Sequence, residues 1–111
     1  MSVRVPPSWL LAWPPVGDFL ARVRRVEADA TPSSWWRSVA ENAGVGGHPY
    51  SQHLLATAAD FVAARGWTNE ELAAAARRAG LIANDEGDHV HLQLFPAGTL
   101  DSIVDYARRW L

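Results

Sequence analysis

The chain has 111 residues, which is room for one hydrophobic core and no second. Apolar residues make up 49% and charged residues 20%, the balance of a soluble globular protein, and a net charge of −2 offers no basic field, which speaks against a nucleic-acid partner. There is no cysteine, so disulfides and cysteine-ligated zinc are excluded and any metal must be held by His, Asp or Glu.

Residues 1–15 hold four prolines and two tryptophans and are expected to form an extended N-terminal arm, ahead of a single domain at 16–111. Their apolar run at 9–13 is too short for a secretory signal, and no stretch is long enough to span a bilayer. Synthesis in the cytoplasm without a signal peptide, and no membrane partner, are the expectations. Asp18 is placed to cap a helix with Phe19, Leu20, Val23 and Val26 on one face. Thr31-Pro32-Ser33-Ser34 interrupts it, Trp35-Trp36-Arg37 reads as extended, and a short helix ends at Gly44 before the loop Gly46-Gly47-His48-Pro49.

Thr68 and Glu71 form a capping box that opens an alanine-rich helix, and Gly80 stands at its C-terminal cap. Leu81-Ile82-Ala83 reads as a strand, and Asn84-Asp85-Glu86-Gly87 as the turn of a hairpin into a second strand from His89 to Phe95. Alternation there sends His89, His91 and Gln93 to one face and Val90, Leu92 and Leu94 to the other. Thr99 or Asp101 is expected to begin a final helix through Leu100, Ile103, Val104, Ala107 and Trp110. The fold class is α+β, a small, mostly antiparallel sheet with helices packed around it.

Chemistry concentrates in Ser51-Gln52-His53, with Asp60 seven positions on, and in Asp88-His89-Val90-His91. Two imidazoles and a carboxylate are a three-ligand zinc set, the number a catalytic zinc keeps so that one position stays open. The bland alternative makes His53 a helix cap, Asp60 a solvated helix charge, and the paired histidines a polar strand face. Ligand atoms around one zinc lie about 3.3 Å apart, whereas seven residues rise about 10 Å on a helix and about 23 Å on a strand. If His53 and Asp60 share a metal, the chain must turn between them, near Leu55-Ala56-Thr57.

The run from Gly46 through His53 to Ala58-Ala59-Asp60 resembles the Ser-x-His-x-x-x-x-x-x-Asp motif of the D-Ala-D-Ala metallopeptidases, which share the fold of the hedgehog signalling domain. His89-Val90-His91 is similar to the His-x-His element of that group, and Trp36-Arg37-Ser38 to its Tyr-Arg-Ser element. The resemblance covers residues from about 35 to 94, with all three elements in order.

It implies a monomeric zinc enzyme that hydrolyses peptidoglycan stem peptides, as a D,D-carboxypeptidase or an L-Ala-D-Glu endopeptidase. It implies Zn2+ held by His53, Asp60 and His91, with His89 beside the ligands as a transition-state partner. Arg37 would bind a substrate carboxylate or the oxyanion, and Ser51 would help hold substrate. Asp88, three residues before the last ligand, would be the general base, with Glu86 its rival. Where many relatives carry glycine between the first two ligands, this chain has Ala56. A phage lysis or virion protein acting at the bacterial wall fits that picture. The alternative from another class is a non-catalytic zinc-binding interaction module, or a structural virion domain of the same fold.

Overall fold

A computed structural model describes residues 3–111. Four strands form one sheet, β1 (Ala30–Ser34), β2 (Ala58–Ala63), β3 (Ile82–Asp85) and β4 (Val90–Gln93), in the order β1-β2-β4-β3 with every neighbour antiparallel. Five helices surround it: α1 (Ser8–Leu11), α2 (Pro14–Arg24), α3 (Val39–Gly44), α4 (Asn69–Arg78) and α5 (Asp101–Ala107). The expected α+β class and antiparallel sheet are both found.

The sheet has one face in the core and one in the site. Ala59, Ala83, Val90 and Leu92 point inward, where Leu72, Ala73 and Ala76 of α4 and Phe19 of α2 cover them. The small alanines let α4 lie close to the sheet. Its ends follow the sequence: Thr68 and Glu71 close the capping box. Gly80, at φ +87°, donates to Arg77 O while Leu81 donates to Ala76 O, the paired bonds of a Schellman stop. A second cluster, with Leu10, Val16, Trp36, Leu54, Leu55, Leu100 and Val104, lies beneath the loops that carry His53.

The N-terminal arm is not extended throughout. Residues 8–11 make the helical turn α1, and α2 begins at Pro14 rather than at Asp18; residues 1–2 of the arm lie outside those described. Proline at the first positions of a helix has no amide whose partner is lost and a φ already set, so Pro14-Pro15 starts the helix it was expected to precede. Asp18 instead pairs with Arg22 one turn on, at 3.0 Å. Strand β1 ends at Ser34, leaving Trp35-Trp36-Arg37 outside the ladder. The hairpin turn falls two residues later than expected: Asp85 pairs with Val90, and Glu86 donates its amide to His89 O. The last helix follows Leu100, without a side-chain cap from Thr99 or Asp101.

Candidate metal centre

The turn demanded between His53 and Asp60 is present. A 3-10 turn, Gln52–Leu55, follows Ser51, whose hydroxyl accepts the His53 amide. Ala56 then adopts the left-handed conformation at φ 60°, ψ 20°, and the chain reverses into β2. The position where the resemblance expects glycine is the one non-glycine residue with positive φ among those described. Asp60 and His91 are direct cross-strand partners, with Asn84 opposite His91 on the next strand. Register alone therefore brings carboxylate and imidazole together on one face.

Three segments converge. His53 Nε2 lies 3.3 Å and His91 Nδ1 3.0 Å from the same oxygen, Asp60 Oδ1. One ligand atom from each of the three lies within 4.8 Å of the other two, and the two imidazole rings are 5.3 Å apart. The two edges to Asp60 fit the spacing of about 3.3 Å between donors on one tetrahedral ion. His53 is 2% and Asp60 5% exposed. A solvated helix charge is thus ruled out for Asp60, as is a helix cap for His53.

The far nitrogen of each histidine is also occupied. His53 Nδ1 faces Trp35 O at 2.5 Å, and His91 Nε2 faces Gln93 Oε1 at 2.8 Å. Trp35 and Trp36 further donate their indole N–H groups to Ala56 O and Leu54 O, and Arg37 donates its amide to His53 O. Residues 35–37 thus strap the turn that carries His53. No local sequence pattern encodes this use of the tryptophan pair, whose only signal is two large amphipathic rings beside a loop.

Burial works against ionisation of Asp60, but the hydrogen bonds from His53 and His91 outweigh it and hold the carboxyl well below its usual range. Burial likewise works against a charged His91, and the bonds to Asp60 and Gln93 override it, raising its pKa. His89 is raised too: desolvation opposes the charge, while the bond to Asp88 and the fields of Asp60 and Glu86 favour it.

The cluster lies in a cleft of about 800 Å³, walled by Arg37, His48, Tyr50, Ser51, Glu86 and Asp101 among others. Among the described residues of that wall Arg37 is the only arginine. Its guanidinium donates to Asp60 Oδ2 at 3.0 Å and reaches Asn42 Oδ1 at 3.4 Å. His89 Nε2 contacts Glu86 Oε2 at 2.7 Å and lies 3.7 Å from Asp60 Oδ1, and its Nδ1 meets Asp88 Oδ1 at 2.6 Å. Glu86 lines the cleft; the Asp88 side chain, 90% exposed, sits on the outer side of His89. No local sequence pattern marks Asn42. It is buried, and it ties Arg37 to the loop by donating to His48 O at 2.8 Å.

A cleft floored by two imidazoles and a carboxylate, on the polar face of an antiparallel sheet, is an arrangement that could hold a metal ion. The family model described as Peptidase M15 matches residues 19–93, about two thirds of the chain, and the protein belongs to that family. It is a metallopeptidase by family, and the resemblance to the D-Ala-D-Ala metallopeptidases is borne out. No curated protein and no solved structure matches the chain significantly. Among the described residues, no helix is long and apolar enough to cross a membrane.

Proposed function

We propose that this chain is a zinc-dependent peptidase that hydrolyses peptide bonds in peptidoglycan stem peptides. The observation that carries the reading is the convergence of His53, Asp60 and His91 on one point of the cleft floor in a member of a peptidase family. Two imidazoles and one carboxylate form a borderline-soft set that suits zinc better than calcium or magnesium, which favour all-oxygen shells. Zinc held there would supply Lewis-acid chemistry, acidifying a water and polarising the scissile carbonyl.

The chain's own side chains supply the rest. Arg37 and His89 flank Asp60 and offer preorganised N–H donors to the oxyanion that develops on the carbonyl. Ser51, on the cleft wall, helps hold the substrate backbone. A carboxylate of the β3–β4 turn takes the proton from the attacking water and returns it to the leaving amine. The resemblance gives this task to Asp88. A second assignment, Glu86, is favoured by its position on the cleft wall and its bond to His89 Nε2. We further propose, on the resemblance, that the protein works as a monomer at the bacterial wall as a phage lysis or virion enzyme.

The test is digestion of purified peptidoglycan with mass spectrometry of the released peptides, alongside metal analysis. Wild type releases fragments with new amino termini and carries one zinc; His53→Ala loses both. Removing the true base lowers the rate by about 10²–10⁴-fold with zinc retained, so Asp88→Asn and Glu86→Gln separate the two assignments. A wild-type protein that holds zinc and releases nothing from any wall tried is the non-catalytic module instead.

A further inference from the structure

We propose that Gln93 is the positioning residue that fixes His91 in the Nε2–H form, leaving Nδ1 free for the metal; this rests on the ligand assignment above. A chain of donors and acceptors runs through Gln93, and one end of it cannot be reversed. Phe95 O can only accept. Two amides reach it, Gln93 Nε2 at 2.7 Å and Gln52 Nε2 at 2.5 Å. Together they fill both lone pairs of that carbonyl.

Turning the Gln93 amide over would set its oxygen against the Phe95 oxygen, acceptor against acceptor. Gln93 Oε1 must therefore face His91 Nε2, at 2.8 Å, and only an Nε2 that carries hydrogen can meet it. The neutral ring is then left with its lone pair on Nδ1, the atom 3.0 Å from Asp60 Oδ1 and aimed at the cluster.

Phe95 is itself anchored. Its amide donates to Gln52 Oε1 at 3.2 Å, and the same oxygen accepts from Thr57 Oγ1 at 3.1 Å. Thr57 O accepts the Leu94 amide at 3.0 Å. Gln52 and Thr57 are buried, and they bracket the turn that carries His53. The end of β4 and the His53 turn are thus tied at one carbonyl, and Gln93 extends that tie to the second imidazole. His53 has the matching arrangement, with Trp35 O holding its Nδ1–H and Nε2 facing the cluster. Each imidazole has its own orienting acceptor, which raises its basicity as a ligand.

Zinc affinity of the full chain is measured by competition with a chelator of graded concentration. The tautomer of His91 is read on the metal-free chain from long-range 1H–15N correlations at pH 8.5, because bound zinc would itself hold the proton on Nε2. Gln93→Met removes the acceptor; zinc affinity falls about 10–100-fold, and the His91 signals move from a pure Nε2–H pattern towards a mixture. Gln93→Glu keeps an acceptor but, like Gln93→Met, loses the donor to Phe95 O. It recovers zinc affinity and tautomer while sharing the loss of thermal stability, which separates positioning from support of the fold. A Gln93→Met chain with zinc affinity within twofold of wild type, and His91 still wholly Nε2–H, overturns the proposal. A His91→Ala chain that keeps full zinc affinity overturns the ligand assignment instead, whatever the Gln93 variants do.

Discussion

Asp60→Asn separates what the carboxylate does for the metal from what it does for the fold. In the wild type Oδ1 faces His53 Nε2 at 3.3 Å and His91 Nδ1 at 3.0 Å, and Oδ2 accepts from Arg37 at 3.0 Å. An amide of the same shape can keep its oxygen on Arg37 and turn its NH2 towards the two imidazoles. Those then meet it as neutral rings with lone pairs on Nε2 and Nδ1. The hydrogen bonds survive and lose only their charge assistance, about 1 kcal/mol each, partly offset because no carboxylate need be buried. The metal-free protein should lose only about 1–2 kcal/mol, measured by urea titration.

The metal loses far more. On the proposed assignment, the charged ligand becomes an amide whose hydrogens point at the ion's place. If zinc in a full protein site is worth about 10–16 kcal/mol over four ligands, one ligand is worth about 2.5–4 kcal/mol, or two to three decades of affinity. At a zinc concentration of 100 times the wild-type Kd, binding stabilises wild type by about 2.7 kcal/mol, an upward Tm shift of about 10 °C at this chain length. The variant should show almost no shift at that concentration. Zinc-dependent stabilisation within 2 °C of wild type would refute the ligand role. A loss above about 4 kcal/mol without metal would refute the claim that the amide satisfies the cluster.

Three further outcomes follow from the geometry. Ala56→Gly relieves about 1–2 kcal/mol of left-handed strain but gives up a buried methyl worth about 0.8 kcal/mol, so it should lie near neutrality in a urea titration, whereas β-branched Ala56→Val should cost at least about 2 kcal/mol. A Cβ at Gly47 would stand 2.0 Å from Asn42 Oδ1, so Gly47→Ala should break the bonds of Asn42 to His48 O and Arg37 and cost about 2–3 kcal/mol; a loss under 0.5 kcal/mol in the same titration would show that Asn42 is not fixed. The raised pKa of His91 gives opposite pH trends for fold and metal. Its folded value lies above its unfolded one, so its contribution to metal-free stability is full below about pH 6.5 and is lost as pH rises through the folded value. Zinc must displace that proton, so affinity should fall about tenfold per unit below the folded pKa; chelator competition at pH 5.5–8.5 checks the slope, and a flat profile would contradict it.

The legible parts of this molecule are those whose signals are local. The capping box at Thr68 and Glu71, the glycine stop at Gly80 and the alternation in β4 each depend on a few neighbouring residues, and all are found. The reversal between His53 and Asp60 was legible too, because a shared ion admits no other geometry at that separation. Helix α1 and the start of α2 were not, since Pro14-Pro15 reads equally as arm or helix start until Leu10 and Val16 find their places in the second core cluster. The strap of Trp35 and Trp36 depends on indole N–H groups meeting carbonyls about twenty residues later, which no local pattern encodes. Glu86 and Asp88 differ by which side of His89 they fall on, and a two-residue shift of the turn decides that.

The burial of the cluster divides its labour. His53 and Asp60 are almost fully enclosed, the first by the tryptophan strap and the second by the ladder between β1 and β4, so their geometry is set by the fold and varies only with it. His91 is partly open, and its ring is held by a glutamine. His89 and Glu86 stand on the turn, with side chains 25% and 48% exposed, held by contacts with one another rather than by the core. Ion binding needs donor atoms fixed to a few tenths of an ångström before the ion arrives, whereas proton transfer needs a group that can swing between water and leaving amine. Under the proposed function, the rigid sheet would carry the first task and the hairpin turn the second. Substitutions beneath the sheet should therefore act through metal affinity, and those in the turn through turnover at full metal occupancy.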